Sequence, residues 1–482
     1  TIGEKPLYYA KFDNTFIFGS EIKSILAYGM PREIATEMTE IFLTFGYMTG
    51  PQSYFKNILK IQPGHFIIVN ENGFSDAAYW EFPQQEEKMM LTNKQAVYEE
   101  FDFLLKDSVR LQMRSDVPYG AFLSGGLDSS SVVAIMSELS SYPVETFTIG
   151  FDEKAFDERK LAQLVADKFS TNHHAKTVQQ ESFNEALNKV VYHYDEPFGD
   201  SSAIPTGCVS KYASEKVKMV LTGDGGDEVL SGYQSFIGLK LTNHYRKLPP
   251  FLRQNIPPGL GILGDQFRGD LRYKFNRLKN VCQTANLDFI QRSLSKLAWI
   301  SINDIKMLMG DALDKQYPAE EYLSQVMSKC SFQDDFYKMM YMQFHVSLPD
   351  DMLVKVDRMS LAHSLEARVP FLDHRLIEFM VKVHKDVKLP GFNRKNVLKN
   401  TVGRKLPEAL YNAPKKGFEV PVREWFKKSS FNPQLTSLSS DNFGLNQELV
   451  KSIIEKNSKG ETDYGNFIWM LFVLKNVVHP TS

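Results

Sequence analysis

Phe122-Leu123-Ser124-Gly125-Gly126-Leu127-Asp128-Ser129-Ser130-Ser131 is the stretch on which the reading of this chain turns. It lies between an apolar stretch, Val117 to Leu123, and an amphipathic one, Ser130 to Leu139. That pattern predicts a strand, a tight turn and a helix. Two glycines let the backbone approach a ligand closely. Hydroxyls and the N–H groups of a helix start offer donors to phosphate oxygens. The run holds no lysine, so it is not the common nucleotide loop that ends in Gly-Lys-Ser/Thr.

Beyond Val117 the pattern keeps alternating. Strand-like runs fall at Tyr119–Ser124, Thr146–Phe151, Ala175–Val178 and Lys218–Thr222, with helix-like runs at Glu158–Phe169, Phe183–Tyr194 and Thr206–Glu215. Strands separated by helices predict an α/β fold with a doubly wound parallel sheet, whose ligands sit at the carboxyl ends of strands. Upstream, residues 1 to about 82 read as β-rich: Phe16–Glu21 as a strand, then His65–Asn70 and Ala77–Trp80 around the turn Glu71-Asn72-Gly73. Pro83–Lys88 is polar and aperiodic, and Phe101–Met113 has helical periodicity. The expected organisation is therefore 1–85, a linker over 86–100, and 101–482. After about residue 237 the chain reads as mainly helical, with helices expected at Tyr337–Leu348, Leu353–Leu365 and Arg375–His384. Met339, Met340 and Met342 are expected in the core.

A second glycine-rich loop, Leu221-Thr222-Gly223-Asp224-Gly225-Gly226-Asp227-Glu228, also follows an apolar strand. Nucleoside triphosphates arrive with Mg²⁺, a hard ion that takes one or two carboxylates plus phosphate oxygens. Asp128 and Asp227, each near a strand end, are the expected pair. The stretch Leu348–Ser360, leading into Glu366–Asp373, reads as a helix with a salt-bridged face that ends at proline. Lys395 and the run Lys415-Lys416-Gly417-Phe418 read by themselves as surface charge; a cation facing phosphoryl charge would lower a barrier. His173-His174 lacks partners at metal-ligand spacing, which predicts a structural role.

A length of 482 residues accommodates two or three domains, and 43% hydrophobic content supplies a large core. The net charge of −2 gives no electrostatic basis for nucleic-acid binding. Cys208, Cys282 and Cys330 are scattered without a CxxC pair, which fits a reducing cytoplasm and argues against structural zinc. No apolar run approaches the ~18 residues of a membrane span, and no signal peptide is visible. Thr1 opens the sequence in mid-pattern, so an upstream segment is expected.

The Ser124–Ser130 loop resembles the pyrophosphate-gripping loop of ATP pyrophosphatases, which split ATP between its α and β phosphates. Over nearly its whole length the chain resembles the glutamine-hydrolysing asparagine synthetases of the AsnB type. The matching pieces, in family order, are Ile2–Tyr9, Gly19–Lys23, Ile61–His65 with Tyr79-Trp80, Ser124–Ser130, Asp195-Glu196-Pro197-Phe198, Thr222–Tyr233, Val354–Asp373 and Lys415–Phe418. The resemblance implies an ATP pyrophosphatase domain with a helical C-terminal portion, preceded by part of a class II glutamine amidotransferase domain of the Ntn type. It implies activation of aspartate as β-aspartyl-AMP, release of pyrophosphate, and displacement of AMP by ammonia. Ser124, Gly125, Gly126, Leu127, Asp128, Ser129 and Ser130 would then cradle pyrophosphate, and Phe122 and Ile149 would line the adenine site. Thr222 and Gly223 would complete the ATP pocket, and Asp128 and Asp227 would hold Mg²⁺. Lys395 would contact phosphate in the transition state, and Asp224 stands where many members carry a glutamate linked to acyl transfer.

The sequence departs from the family at two points. The family's glutaminase half begins with a catalytic cysteine, whereas residue 1 is Thr, so ammonia alone is the expected nitrogen source for the chain as written. Phe198-Gly199-Asp200-Ser201 stands where the enteric and eukaryotic synthetases of the family carry a Thr-Thr-x-Arg run implicated in aspartate binding. The acceptor is thus aspartate or a related carboxylate, with a sugar or peptide carboxylate as the alternative. The expected partners are small molecules, with no nucleic acid, no membrane and a homodimer as an option. A non-catalytic nucleotide-binding module is the rival of another class; the intact loop, Asp227 and Lys395 argue against it.

Overall fold

A computed structural model describes residues 1–150, 158–177, 183–265, 270–310, 318–412, 426, 432–440 and 444–479. Phe151 and Val178, expected strand ends, and the run Lys415–Phe418 lie outside the described residues.

Three strands, β1 (Tyr8–Phe12), β2 (Thr15–Gly19) and β3 (Ile58–Lys60), form an antiparallel sheet in the order β2-β1-β3. A hairpin of β4 (His65–Asn70) and β5 (Gly73–Ala78) follows. Its second strand starts at Gly73, four residues before the expected Ala77, because Glu71-Asn72 alone makes the two-residue connection.

The central sheet comprises β6 (Tyr119–Phe122), β7 (Glu145–Gly150), β8 (Asn172–Thr177), β9 (Met219–Leu221) and β10 (Glu366–Arg368). All are parallel, in the order β10-β9-β6-β7-β8. Strand alternation divides two cores. Met219 and Leu221 pack with Val132 and Val133 on one face, whereas Val220 packs with Val209 and Ala213 on the other. Helices pack on both faces of this parallel sheet, which gives the expected α/β architecture. Strand order reverses between β6 and β9, so both glycine-rich loops emerge side by side at the switch point.

Three expectations need correction. The helix expected from Phe101 already begins at Lys94, with the Asn93 side chain accepting from the N–H groups of Gln95 and Ala96. Glu366-Ala367-Arg368, read as a continuation of a helix, is the edge strand β10. The two helices expected on either side of Pro349 are one rod. It runs as α-helix over Asp335–Met342, as π-helix over Gln343–Leu353 and as α-helix again over Val354–Leu361. The wider π turn accommodates a proline that would break an α-helix. Met339, Met340 and Met342 are buried along this rod.

Charges on this rod do not form a face of their own. Asp350, Asp357 and Arg358 reach the N-terminal segment, as do Asp195 and Glu196 from outside the rod. Lys60 Nζ lies 3.0 Å from Glu196 and 3.5 Å from Asp350, Tyr8 OH donates to Glu196 at 3.1 Å, and Gly50 N–H donates to Asp350 at 2.9 Å. Lys5 pairs with Asp357, Lys23 with Asp195 at 3.0 Å, and Arg358 with Glu21 at 3.3 Å. Burial by itself would favour a neutral Lys60, yet Glu196 and its neighbours hold its pKa above the ordinary value. Lys60→Met leaves Glu196 and Asp350 without their cation. It is expected to cost about 3–5 kcal/mol, read as a lowered denaturation midpoint. An unchanged midpoint would show that the cluster adds no net stability.

Candidate functional site

The strand β6 delivers Leu123–Gly126 to the start of a 13-residue helix, Leu127–Leu139, capped by Gly126 in extended conformation. Gly125 has φ +75°, and a Cβ there would lie 2.6 Å from Leu161 Cβ and 2.8 Å from Ala162 N. Only glycine fits that turn. Ser124 and Ser129 hydroxyls are 3.0 Å apart, and Gly126 N–H donates to Ser124 Oγ at 3.3 Å. The loop is thereby pre-shaped, with the helix N-terminus facing the space in front of it.

The second loop interlocks with the first. A Cβ on Gly223 would lie 2.5 Å from Ser129 N and 2.9 Å from Asp128 C. Gly223→Ala must therefore push the two loops apart. We expect a loss of about 10²-fold in kcat/KM for ATP, since small misplacements at a reacting centre cost that much, together with a lowered melting temperature, because the clash is with backbone. Unaltered ATP kinetics would count against a shared nucleotide site.

Both loops face Lys395 across a cavity of about 580 Å³. Lys395 is buried and has φ +55°, a left-handed conformation that costs a non-glycine residue roughly 1–3 kcal/mol. Its neighbour Asn396 pins the segment by donating to Tyr98 OH and Val387 O, both at 2.9 Å. Lys395 Nζ is 2.7 Å from Asp227 and also contacts Asp128. Burial would lower the Lys395 pKa, but Asp128 and Asp227 outweigh it and keep the ammonium charged well above its ordinary range.

Phe122, Ser124, Gly125, Gly126, Leu127, Asp128, Ser129, Ile149, Thr222, Gly223, Asp224, Asp227 and Lys395 all line this one cavity. Phe122 and Ile149 sit with Phe147 and Val209, an apolar portion suited to a flat ring. Asp224 N–H donates to Thr222 Oγ1 at 3.4 Å. Ser130 is the exception. It is fully buried, does not line the cavity, and its backbone N–H is spent on Gly126 O at 3.1 Å. Successive helical residues are turned by about 100°, so Ser129 faces the cavity while Ser130 faces the core. His173 and His174 lie on β8, where His174 stacks on Phe147 at 5.2 Å and meets Glu145 at 2.6 Å, as expected of structural side chains.

Sequence reasoning did not single out Asp200, Lys355, Arg394 or Glu158, which line the same cavity. Arg394 stands beside Lys395 and donates to Gly232 O at 2.9 Å. The departure at Phe198–Ser201 was the one available signal for Asp200. Among the described residues no group of three or more His, Cys, Asp or Glu side chains could hold a metal. A two-carboxylate site for Mg²⁺ remains consistent with this, because phosphate oxygens and water supply its other ligands. Asp128 and Asp227 already converge on a single cation, the Lys395 ammonium. Among the described residues, no helix is long and apolar enough to cross a membrane.

The profile of the glutamine amidotransferase domain family matches residues 1–80, and that of the asparagine synthase family matches residues 100–478. Asparagine synthetase (glutamine-hydrolyzing) 1 of Bacillus subtilis is 27% identical over 473 residues, 98% of this chain and 73% of that protein. A Methanocaldococcus jannaschii protein provisionally named for the same activity is 41% identical over 258 residues, 52% of this chain and 49% of its own length. An amidase of Gibberella zeae is 24% identical over 459 residues, 88% of this chain and 67% of that protein. Since the longer match takes in the five-stranded sheet, both glycine-rich loops and Lys395, the chain belongs to the asparagine synthase family and is a ligase.

Proposed function

We propose that this chain makes asparagine from aspartate and ATP through an acyl-adenylate. The observation that carries this reading is the convergence of two glycine-rich loops, from adjacent parallel strands, on Lys395 in one cavity. A β-carboxylate oxygen of aspartate attacks the α-phosphorus and the bond to pyrophosphate breaks. Ammonia then attacks the acyl carbon and AMP leaves. Ser124, Gly126 and Ser129 present donors to the leaving pyrophosphate. Lys395 offsets the negative charge that gathers there. Asp128 and Asp227 would hold Mg²⁺, which when bound neutralises phosphate charge. Phe122 and Ile149 would flank the adenine. Asp224 would serve the acyl end, where ammonia loses a proton on forming the amide.

The test is pyrophosphate release with MgATP and ammonium chloride, with and without aspartate. Aspartate-dependent release together with asparagine supports the reading. Release that depends on another carboxylate would replace it with amidation of that acceptor.

A further inference from the structure

The cavity extends past the nucleotide loops to a second wall. Asp200, Ser202 and Thr206 come from the entry to the helix Ala203–Ser214, and Met352 and Lys355 from the rod just beyond its proline. Lys355 Nζ donates to Asp200 Oδ2 at 2.9 Å, and their side chains are 10% and 20% exposed. Asp200 also accepts from Ser202 N–H at 2.9 Å and Ser202 Oγ at 2.7 Å. The ammonium also meets Met352 Sδ at 3.2 Å, a weak acceptor, and feels the charges of Asp351 and Asp224.

We propose that Lys355 and Asp200 form the acceptor's head-group subsite, Lys355 taking the α-carboxylate and Asp200 the α-ammonium of an amino acid. This deepens the function proposed above and rests on it. Three observations support it. First, a buried pair of opposite charges costs desolvation that apolar side chains would avoid, so its place on a cavity wall calls for a polar ligand. Second, a zwitterion carries its two charges on neighbouring carbons, matching a cation and an anion already at hydrogen-bond distance from each other. Third, the corner has an excess of acid. Asp351 lies against the pair and hydrogen-bonds Asp200, Glu228 acts on Asp351 in turn, and the Asp351 Oδ1 atom is buried with no hydrogen-bond partner among the described residues. Burial, and then Asp200, push the Asp351 pKa well above the carboxylate range, the response of acids crowded around too little positive charge. An ammonium from the ligand would relieve that crowding. With both charges of the head group held here, the side-chain carboxylate of aspartate is left to reach the loops.

The experiment compares kcat/KM for three acceptors: aspartate, succinate (which lacks the amine) and β-alanine (which lacks the α-carboxylate). It uses wild type, Asp200→Asn and the charge-neutral double variant Asp200→Asn/Lys355→Met, each checked by thermal melting. Asp200→Asn is expected to lower kcat/KM for aspartate by about 30-fold or more, through KM, with KM for ATP unchanged. Its preference for aspartate over succinate should shrink by a similar factor. The double variant should also lose its preference for aspartate over β-alanine. An equal loss for aspartate and succinate, or no loss, overturns the subsite while leaving asparagine synthesis standing. If wild type ignores aspartate, the function proposed above falls. The subsite then survives only if the true acceptor is another α-amino acid, and an acceptor without that head group overturns it.

Discussion

Asp128→Asn is expected to abolish acceptor-dependent pyrophosphate release from a protein that remains folded. Asp128 sits in the first turn of the helix Leu127–Leu139, where the glycine-rich loop meets the cavity. The substitution keeps its volume, so the packing against Gly226 persists. What it removes is one negative charge beside Lys395 and Asp227. If Asp128 helps hold MgATP, as proposed, the loss comes to several kcal/mol of transition-state stabilisation, on the order of 10³-fold in rate. Pyrophosphate release read against a circular-dichroism melt separates chemistry from folding. Undiminished turnover in the folded variant would sink the role assigned to this carboxylate.

Lys395→Met should act differently. It keeps the aliphatic stem and removes the cation that faces the leaving group. A preorganised charge of this kind is worth about 10²–10³ in kcat. KM for ATP should move far less, because the loop donors from Ser124 to Ser129 are untouched. The change also leaves Asp128 and Asp227 facing each other without their shared ammonium, so a lower melting temperature is expected at the same time. Steady-state kinetics with ATP varied at saturating acceptor distinguish the two effects. A rise in KM for ATP with kcat preserved would make Lys395 a ground-state binder only.

The two glycine-rich loops were legible because their pattern is local. A strand, a glycine turn and a helix start occupy consecutive residues, although the clashes that exclude a side chain come from elsewhere in the chain, Leu161 at Gly125 and Ser129 at Gly223. Ser130 shows where even local reading slips. Ser129 and Ser130 are chemically alike, and only the phase of the helix decides that one meets the cavity and the other the core. The charges of the Leu348–Ser360 run show a second limit. As a linear pattern they suggest pairs within one helix, but Asp350, Asp357 and Arg358 find partners some 290 to 352 residues away, at Lys60, Lys5 and Glu21.

By itself, then, the sequence determined the α/β pattern with its parallel sheet, the two glycine-rich loops at its carboxyl edge, and most of the residues that line the cavity between them. Those features depend on hydrophobic period and backbone freedom, which adjacent residues carry. The tertiary structure alone decided that a three-residue segment of mixed charge, Glu366–Arg368, is the edge strand β10. Among the described residues, β9 alone supplies the hydrogen-bond ladder it needs. It also decided that Pro349 lies inside a continuous rod and that Lys355 meets Asp200 across 155 residues of chain. Such a pair has no signature in either of its local sequences. The gain from joining the two charges exists only once folding has brought them together out of water.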